Sequence, residues 1–150
     1  MNELCVLPDS ICVVAFTTTE LKTISEKLKK ELNVDSKFIN DTNFDFNKNK
    51  DKSYIKLSTV RDIKGIDCPI VIFMVSDQSK SENHGGIKDS NRANAIYTVI
   101  TRAMYLLQVF IPDSSKNSDK TVAAIVRAFE SYKAKKKKII LVRKRKFINQ

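Results

Sequence analysis

Arg102 stands between two apolar runs, "NAIYTVIT" (94–101) before it and "AMYLLQVFIP" (103–112) after it, and is the only charge from Asn94 to Met104. A guanidinium in such a place has two readings. It can snorkel, laying its stem on apolar surface and its head in water. It can also grip an anion, because its planar fork makes paired hydrogen bonds to phosphate. A second stretch, "LSTVRDIKGID" (57–67), gathers Thr59, Arg61, Asp62, Lys64 and Asp67 around Gly65. A third concentrates charge. Residues 133–146, "KAKKKKIILVRKRK", hold nine Lys or Arg and no acid, among them Lys135, Lys136, Lys137, Arg143 and Arg145, in a chain whose net charge is +10. The body of the chain is therefore nearly neutral. Such a block either binds polyanions or is a solvated helix end and edge strand kept soluble by lysine.

Other chemistries have no residues to run on. There is no GxxxxGK[ST] phosphate loop and no GxGxxG after a strand, and the chain has only three glycines. No GxSxG and no Cys/His pair points to a nucleophilic enzyme. Three scattered cysteines, Cys5, Cys12 and Cys68, form no CxxC pair, and His84 is the sole histidine, so a zinc site is not expected. An odd cysteine count without a framework suits a reducing cytoplasm. No apolar run approaches a membrane span, and "MNELCVLPDS" lacks the basic and apolar regions of a signal peptide. A soluble, cytoplasmic protein with no membrane contact is the expectation.

The elements that must position the candidate residues follow from periodicity. "ICVVAF" (11–16) is a continuous apolar run, typical of a strand covered on both faces. "TTTE" then supplies N-cap chemistry. Leu21, Ile24, Leu28 and Leu32 mark a helix ending near Asn33. "SKFIN" (36–40), "YIKLST" (54–59), "PIVIFMV" (69–75), "LLQVFIP" (106–112) and "KIILV" (138–142) read as strands. Pro69 is placed at the first residue of its strand, where the ladder tolerates it. Residues 41–53 and 76–91 read as polar loops. Ile96, Val99, Ile100, Ala103 and Met104 fall at helical spacing, which predicts a half-buried helix over 94–104 with Arg102 near its C-terminal end. A final amphipathic helix covers 120–136, with Val122, Ile125, Val126 and Phe129 inward. At 150 residues the chain makes one domain, 1–150, with a basic C-terminal segment 133–150. Strands alternating with helices argue an α/β fold: an open, mostly parallel sheet with helices on both faces. Sites on such sheets are expected at the carboxyl ends of strands.

At these residues a resemblance enters. "LSTVRDIKGIDCPIVIF" resembles motif V of superfamily 1 helicases of the UvrD type, roughly T-x-H-x-x-K-G-L-E before an apolar strand. "NAIYTVITRAMYLLQVF" resembles their motif VI, Y-V-A-x-T-R-A before an apolar strand, and "ICVVAFTTTELKTISEKL" has the shape of motif IV. The three occur in the family's order and span most of residues 11–111.

The resemblance implies the second RecA-like domain of a helicase motor, a P-loop NTPase-like fold without the P-loop. It makes Arg102 the catalytic arginine finger, which stabilises charge gathering on the γ-phosphate. It places Gly65, Asp67 and Lys64 at the nucleotide, with Asp67 one methylene shorter than the family's Glu. It places Thr59 and Arg61 on the backbone of single-stranded nucleic acid, DNA by family, where the basic residues 135–137, Arg143 and Arg145 would add phosphate contacts. Two departures stand out. Phe16 occupies the position of the family's motif IV Arg, and no P-loop Lys or acidic Mg²⁺-binding pair occurs in these residues. ATP with Mg²⁺ would therefore bind only beside a P-loop-containing helicase half, and the chain alone is not expected to hydrolyse it. The alternative is an ATPase-dead, basic nucleic-acid-binding module of the same fold; a weaker third reading is a structural subunit whose open former nucleotide face docks a protein.

Overall fold

The computed structural model describes residues 6–40, 53–76, 89–112 and 120–134. The expected strand 138–142, residues Lys135, Lys136, Lys137, Arg143 and Arg145, the Gly85–Gly86 pair, His84 and Cys5 lie outside them, as do most of the loops at 41–53 and 76–91.

Among the described residues five strands form one sheet: β1 (Ile11–Ala15), β2 (Ser36–Phe38), β3 (Ile55–Thr59), β4 (Cys68–Met74) and β5 (Ala103–Phe110). Their order is β2-β3-β1-β4-β5 and every pair is parallel. The central strand β1 explains its continuous apolar run. Cys12 and Val14 enter the core on one face, and Val13 and Ala15 enter it on the other. The protein is thus an α/β sheet with helices on both faces, the class expected of a RecA-like domain.

Helix α1 (Thr18–Leu32) covers the second face through Leu21, Ile24 and Leu28, whereas Leu32 is exposed. Its ends are chemically set. Thr17 and Glu20 form a reciprocal capping box, and Asn33 closes the helix in the left-handed conformation at φ 52°. Helix α2 (Asp89–Ile100) and helix α3 (Lys120–Ala134) lie on the first face, through Ile96, Val99 and Val122. Ile125 and Val126 pack beside Val122, and Phe129 is only half-buried.

Three boundaries differ from the sequence expectation. Helix α2 stops at Ile100, so Ala103 and Met104 do not belong to its stripe, and Arg102 lies in a turn rather than on a helix. The cause is long-range. Cys68 donates its N–H to the Arg102 carbonyl at 2.9 Å, and Cys68 then pairs with Ala103, which draws the chain into the sheet three residues early. Pro69 is the second residue of β4, not the first, and the register between β4 and β5 shifts between Cys68 and Ile70. An irregular ladder is where a residue without an N–H fits. Strand β5 accordingly runs Ala103–Phe110 instead of 106–112.

Candidate functional site

Asp67 ends the β3–β4 connection and Arg102 ends the α2–β5 turn, so both side chains leave the backbone at the amino ends of adjacent parallel strands. The structure brings these two together. Arg102 Nη1 donates to Asp67 Oδ1 at 3.0 Å, across 35 residues of chain, and Nη2 leans on Thr101 Oγ1 at 3.5 Å. The Arg102 side chain is 26% exposed and that of Asp67 is 61% exposed. Arg102 Nε is the one buried side-chain N or O without a hydrogen-bond partner among the described residues. An orphaned donor of this kind costs about 1–3 kcal/mol, and it marks a guanidinium whose hydrogen bonding is incomplete. Because Nε is buried, an incoming anion can meet only the outer nitrogens of this guanidinium; the exposed carboxylate beside it suits hydroxyls rather than phosphate.

Gly65 and Lys64 approach the pair along the chain. Gly65 holds φ +83°, a conformation open to glycine at little cost, and it ends a run of turns from Val60 before the chain enters β4. Lys64 is exposed. The position of this group is a correction. It lies at the amino ends of β4 and β5, opposite the carboxyl ends where sites on such sheets were expected.

Thr59 and Arg61 lie at the other end of the sheet, where β3 stops. Thr59 Oγ1 donates to Asp62 Oδ2 at 2.6 Å and accepts the Asp62 N–H at 3.3 Å. Asn40 also donates to Asp62 Oδ2, at 3.1 Å. The Thr59 hydroxyl therefore caps a turn, with a carboxylate beside it. Arg61 projects from the same turn and is exposed. The sequence-predicted residues are thus divided between two ends of the sheet rather than gathered in one pocket.

The carboxyl end also holds a group that the sequence reading passed over. Arg92, on the first turn of α2, is only 4% exposed. Its guanidinium lies 4.4 Å from the centre of the Phe16 ring, and Nη2 donates to the Ser76 carbonyl at 2.9 Å. Ser76 Oγ donates to Glu20 Oε2 at 3.2 Å, the same oxygen that accepts the Thr17 N–H at 3.1 Å and Thr17 Oγ1 at 3.0 Å. This network ties α1, α2 and the ends of β1 and β4 together. A signal for it existed: Arg92, Ile96 and Val99 fall at i, i+4, i+7, so the arginine sits on the buried stripe itself. Phe16 is the platform this cation lies on. Arg92 and Arg102 occupy opposite ends of α2 and cannot converge on one phosphate.

Beneath Asp67, the Cys68 and Cys12 thiols are both fully buried. Both thiols are free, and a side-chain hydrogen bond with Cys68, then burial, push the Cys12 thiol far above its usual range, so it stays protonated. Among the described residues no group of three His, Cys, Asp or Glu is placed to hold a metal ion, and no helix is long and apolar enough to cross a membrane. No protein-family model matches this chain, and no curated protein matches it.

Proposed function

We propose that this chain is the second motor domain of a UvrD-type superfamily 1 helicase, supplying Arg102 as the arginine finger to a P-loop half. The observation that carries the reading is the meeting of Asp67 and Arg102. They belong to two stretches that separately resemble the family's motifs V and VI, and they come within 3.0 Å at one end of one sheet. The parallel α/β architecture and the incomplete hydrogen bonding of Arg102 support it further.

In this reading ATP lies between the two halves. The P-loop half holds the phosphates and Mg²⁺; among the described residues of this chain no group of three His, Cys, Asp or Glu is placed to hold a metal ion. Arg102 turns from Asp67 toward the γ-phosphate, where its fork neutralises charge as the bond to the leaving diphosphate breaks. Asp67 faces the ribose hydroxyls, with Gly65 and Lys64 on the connection that carries it. Arg61, with the basic residues at 135–146, contacts the phosphates of single-stranded nucleic acid, DNA by resemblance.

The test mixes the chain with a UvrD-type P-loop domain and single-stranded DNA and measures ATP hydrolysis. Stimulation by the chain, reduced by about 10³–10⁵ in Arg102→Ala, is the expected result. No stimulation, or equal stimulation by the variant, overturns the motor reading. The ion pair itself favours a second reading, in which Asp67 merely ties Arg102 in an ATPase-silent scaffold that binds nucleic acid. That scaffold shows salt-dependent DNA binding with no effect on hydrolysis.

A further inference from the structure

The core beneath the Asp67–Arg102 pair holds two nucleophiles. Cys12 on β1 and Cys68 on β4 are free thiols, both fully buried in the core on the first face. Their strands are neighbours, and their side chains are hydrogen-bonded to each other. Lys56 stands opposite Cys12 in the ladder between β1 and β3, so its side chain leaves the sheet on the same face. A cation beside a thiol favours the reactive thiolate. We propose that Cys12 and Cys68 are a reversible dithiol–disulfide pair, in which a hydroperoxide oxidises Cys68 and Cys12 resolves it.

The two sulfurs have different roles. The hydrogen bond from Cys12 lowers the Cys68 thiol below its ordinary value, against burial and Asp67 and together with Lys56. The same bond keeps Cys12 protonated. Cys68 is the first residue of β4 and follows Asp67, whose side chain is 61% exposed, so a small oxidant reaches it where the strand end opens. The Cys68 thiolate gives an electron pair to one peroxide oxygen, the O–O bond breaks, and hydroxide leaves. The Cys12 sulfur then attacks the sulfenic sulfur of Cys68. The S–O bond breaks, the Cys12 proton joins the departing oxygen, and water leaves. Two thiols are oxidised by two electrons and one hydroperoxide is reduced. An external thiol reverses the step by exchange.

Closing the bond moves the chain. Cys12 lies opposite Val71, so Cys68 stands three residues nearer the start of β4. A disulfide needs Cα atoms within about 7 Å, which draws that start toward β1. The ladder between β4 and β5 shifts between Cys68 and Ile70, so this is where it can yield. Cys68 N–H donates to the Arg102 carbonyl, and Asp67 holds the Arg102 side chain. Oxidation therefore pulls on both contacts that fix Arg102. This inference does not depend on the motor reading.

The test uses the full chain with Cys5→Ser, so that only two thiols remain. The folded, reduced protein is treated with hydrogen peroxide, alkylated and mapped by mass spectrometry. We expect loss of two hydrogens, a linkage between Cys12 and Cys68, and full reversal by dithiothreitol. The linkage should form about tenfold or more faster in the folded protein than in urea. Two alkylated thiols, a linkage formed only in urea, or overoxidation of Cys68 beside an unreacted Cys12 overturns the proposal. Cys12→Ser should accumulate a Cys68 sulfenic acid that dimedone traps, whereas Cys68→Ser should leave Cys12 unlabelled; equal labelling overturns the assigned roles. In the oxidised chain the Cys68 amide should exchange hydrogen about tenfold faster, and an unchanged rate overturns the coupling to Arg102. The Cys5→Ser measurement decides the question by itself if the core variants do not fold.

Discussion

The two ends of the sheet use arginine in opposite ways. At the carboxyl end Arg92 is buried to 4% exposure, stacked on Phe16, and joined through Ser76 to a carboxylate that also caps α1. At the amino end Arg102 holds one exposed carboxylate and keeps Nε without a partner. Burying a charge is tolerable only when its hydrogen bonds are complete. Arg92 has the Phe16 ring and the Ser76 carbonyl as partners and belongs to the architecture. Arg102 does not meet that condition and remains available to a ligand. The difference teaches that an arginine is read by its partners and its burial, not by its charge.

The largest expected effect separates the two ends by activity. With a P-loop half and single-stranded DNA, Arg102→Lys keeps the charge but loses the fork, and stimulated hydrolysis should fall by about 10² or more. A variant that retains the wild-type rate would show that the amino end only needs a cation. Stability should rank the other way. Arg92→Ala removes a stacked cation, opens space against Phe16 and leaves the Ser76 carbonyl short of a donor. We expect about 2–4 kcal/mol of destabilisation, measured as a lower urea midpoint with unchanged slope. A loss below about 1 kcal/mol would mean that the buried network is not structural, and the comparison would fail at that end.

Much of the fold was legible because its signals are local. "TTTE" announced the capping box at Thr17, and Asn33 and Gly65 stand at the positive-φ positions found among the described residues. The alternation of apolar strands and helices gave the parallel sheet. What was not legible depends on pairing across the chain. The apolar run through Met104 reads as helix until Cys68 captures the Arg102 carbonyl, an event 34 residues away in sequence that no local propensity encodes. The placement of Asp67 and Arg102 at the amino ends follows from that same capture. Arg92 was missed because a charged residue is read as surface, although its spacing to Ile96 and Val99 put it on the buried stripe. The resemblance assigned Thr59 and Arg61 to single-stranded nucleic acid and Asp67 and Arg102 to the nucleotide. The topology separates them, since β3 ends where β4 has yet to begin.

A smaller effect probes the network at the carboxyl end one residue at a time. Thr17→Ala removes the hydroxyl that accepts the Glu20 N–H at 3.3 Å and leaves Glu20 with Ser76 and the Thr17 N–H. The loss of a cap costs about 1 kcal/mol. Because Glu20 also anchors Ser76, the cost in Arg92→Ala should be smaller in the Thr17→Ala background than in wild type, which urea titration of the double variant measures. Strict additivity would show two independent contacts instead of one network.

The smallest effect sharpens the comparison most. Asp67→Asn breaks the ion pair with Arg102, yet Asp67 is 61% exposed, so water and salt already screen much of the attraction. A pair of this kind contributes about 0–1 kcal/mol. Released from Asp67, Arg102 gains freedom but loses no buried partner, so the urea midpoint should barely move. A double-mutant cycle with Arg102→Ala gives the coupling directly, and raising the salt concentration should shrink it further. Coupling above about 2 kcal/mol that resists salt would make the amino end a clamp like the one around Arg92. In that event Arg102 would be bound to its own sheet too firmly to turn toward a phosphate, and the contrast between the two ends would collapse.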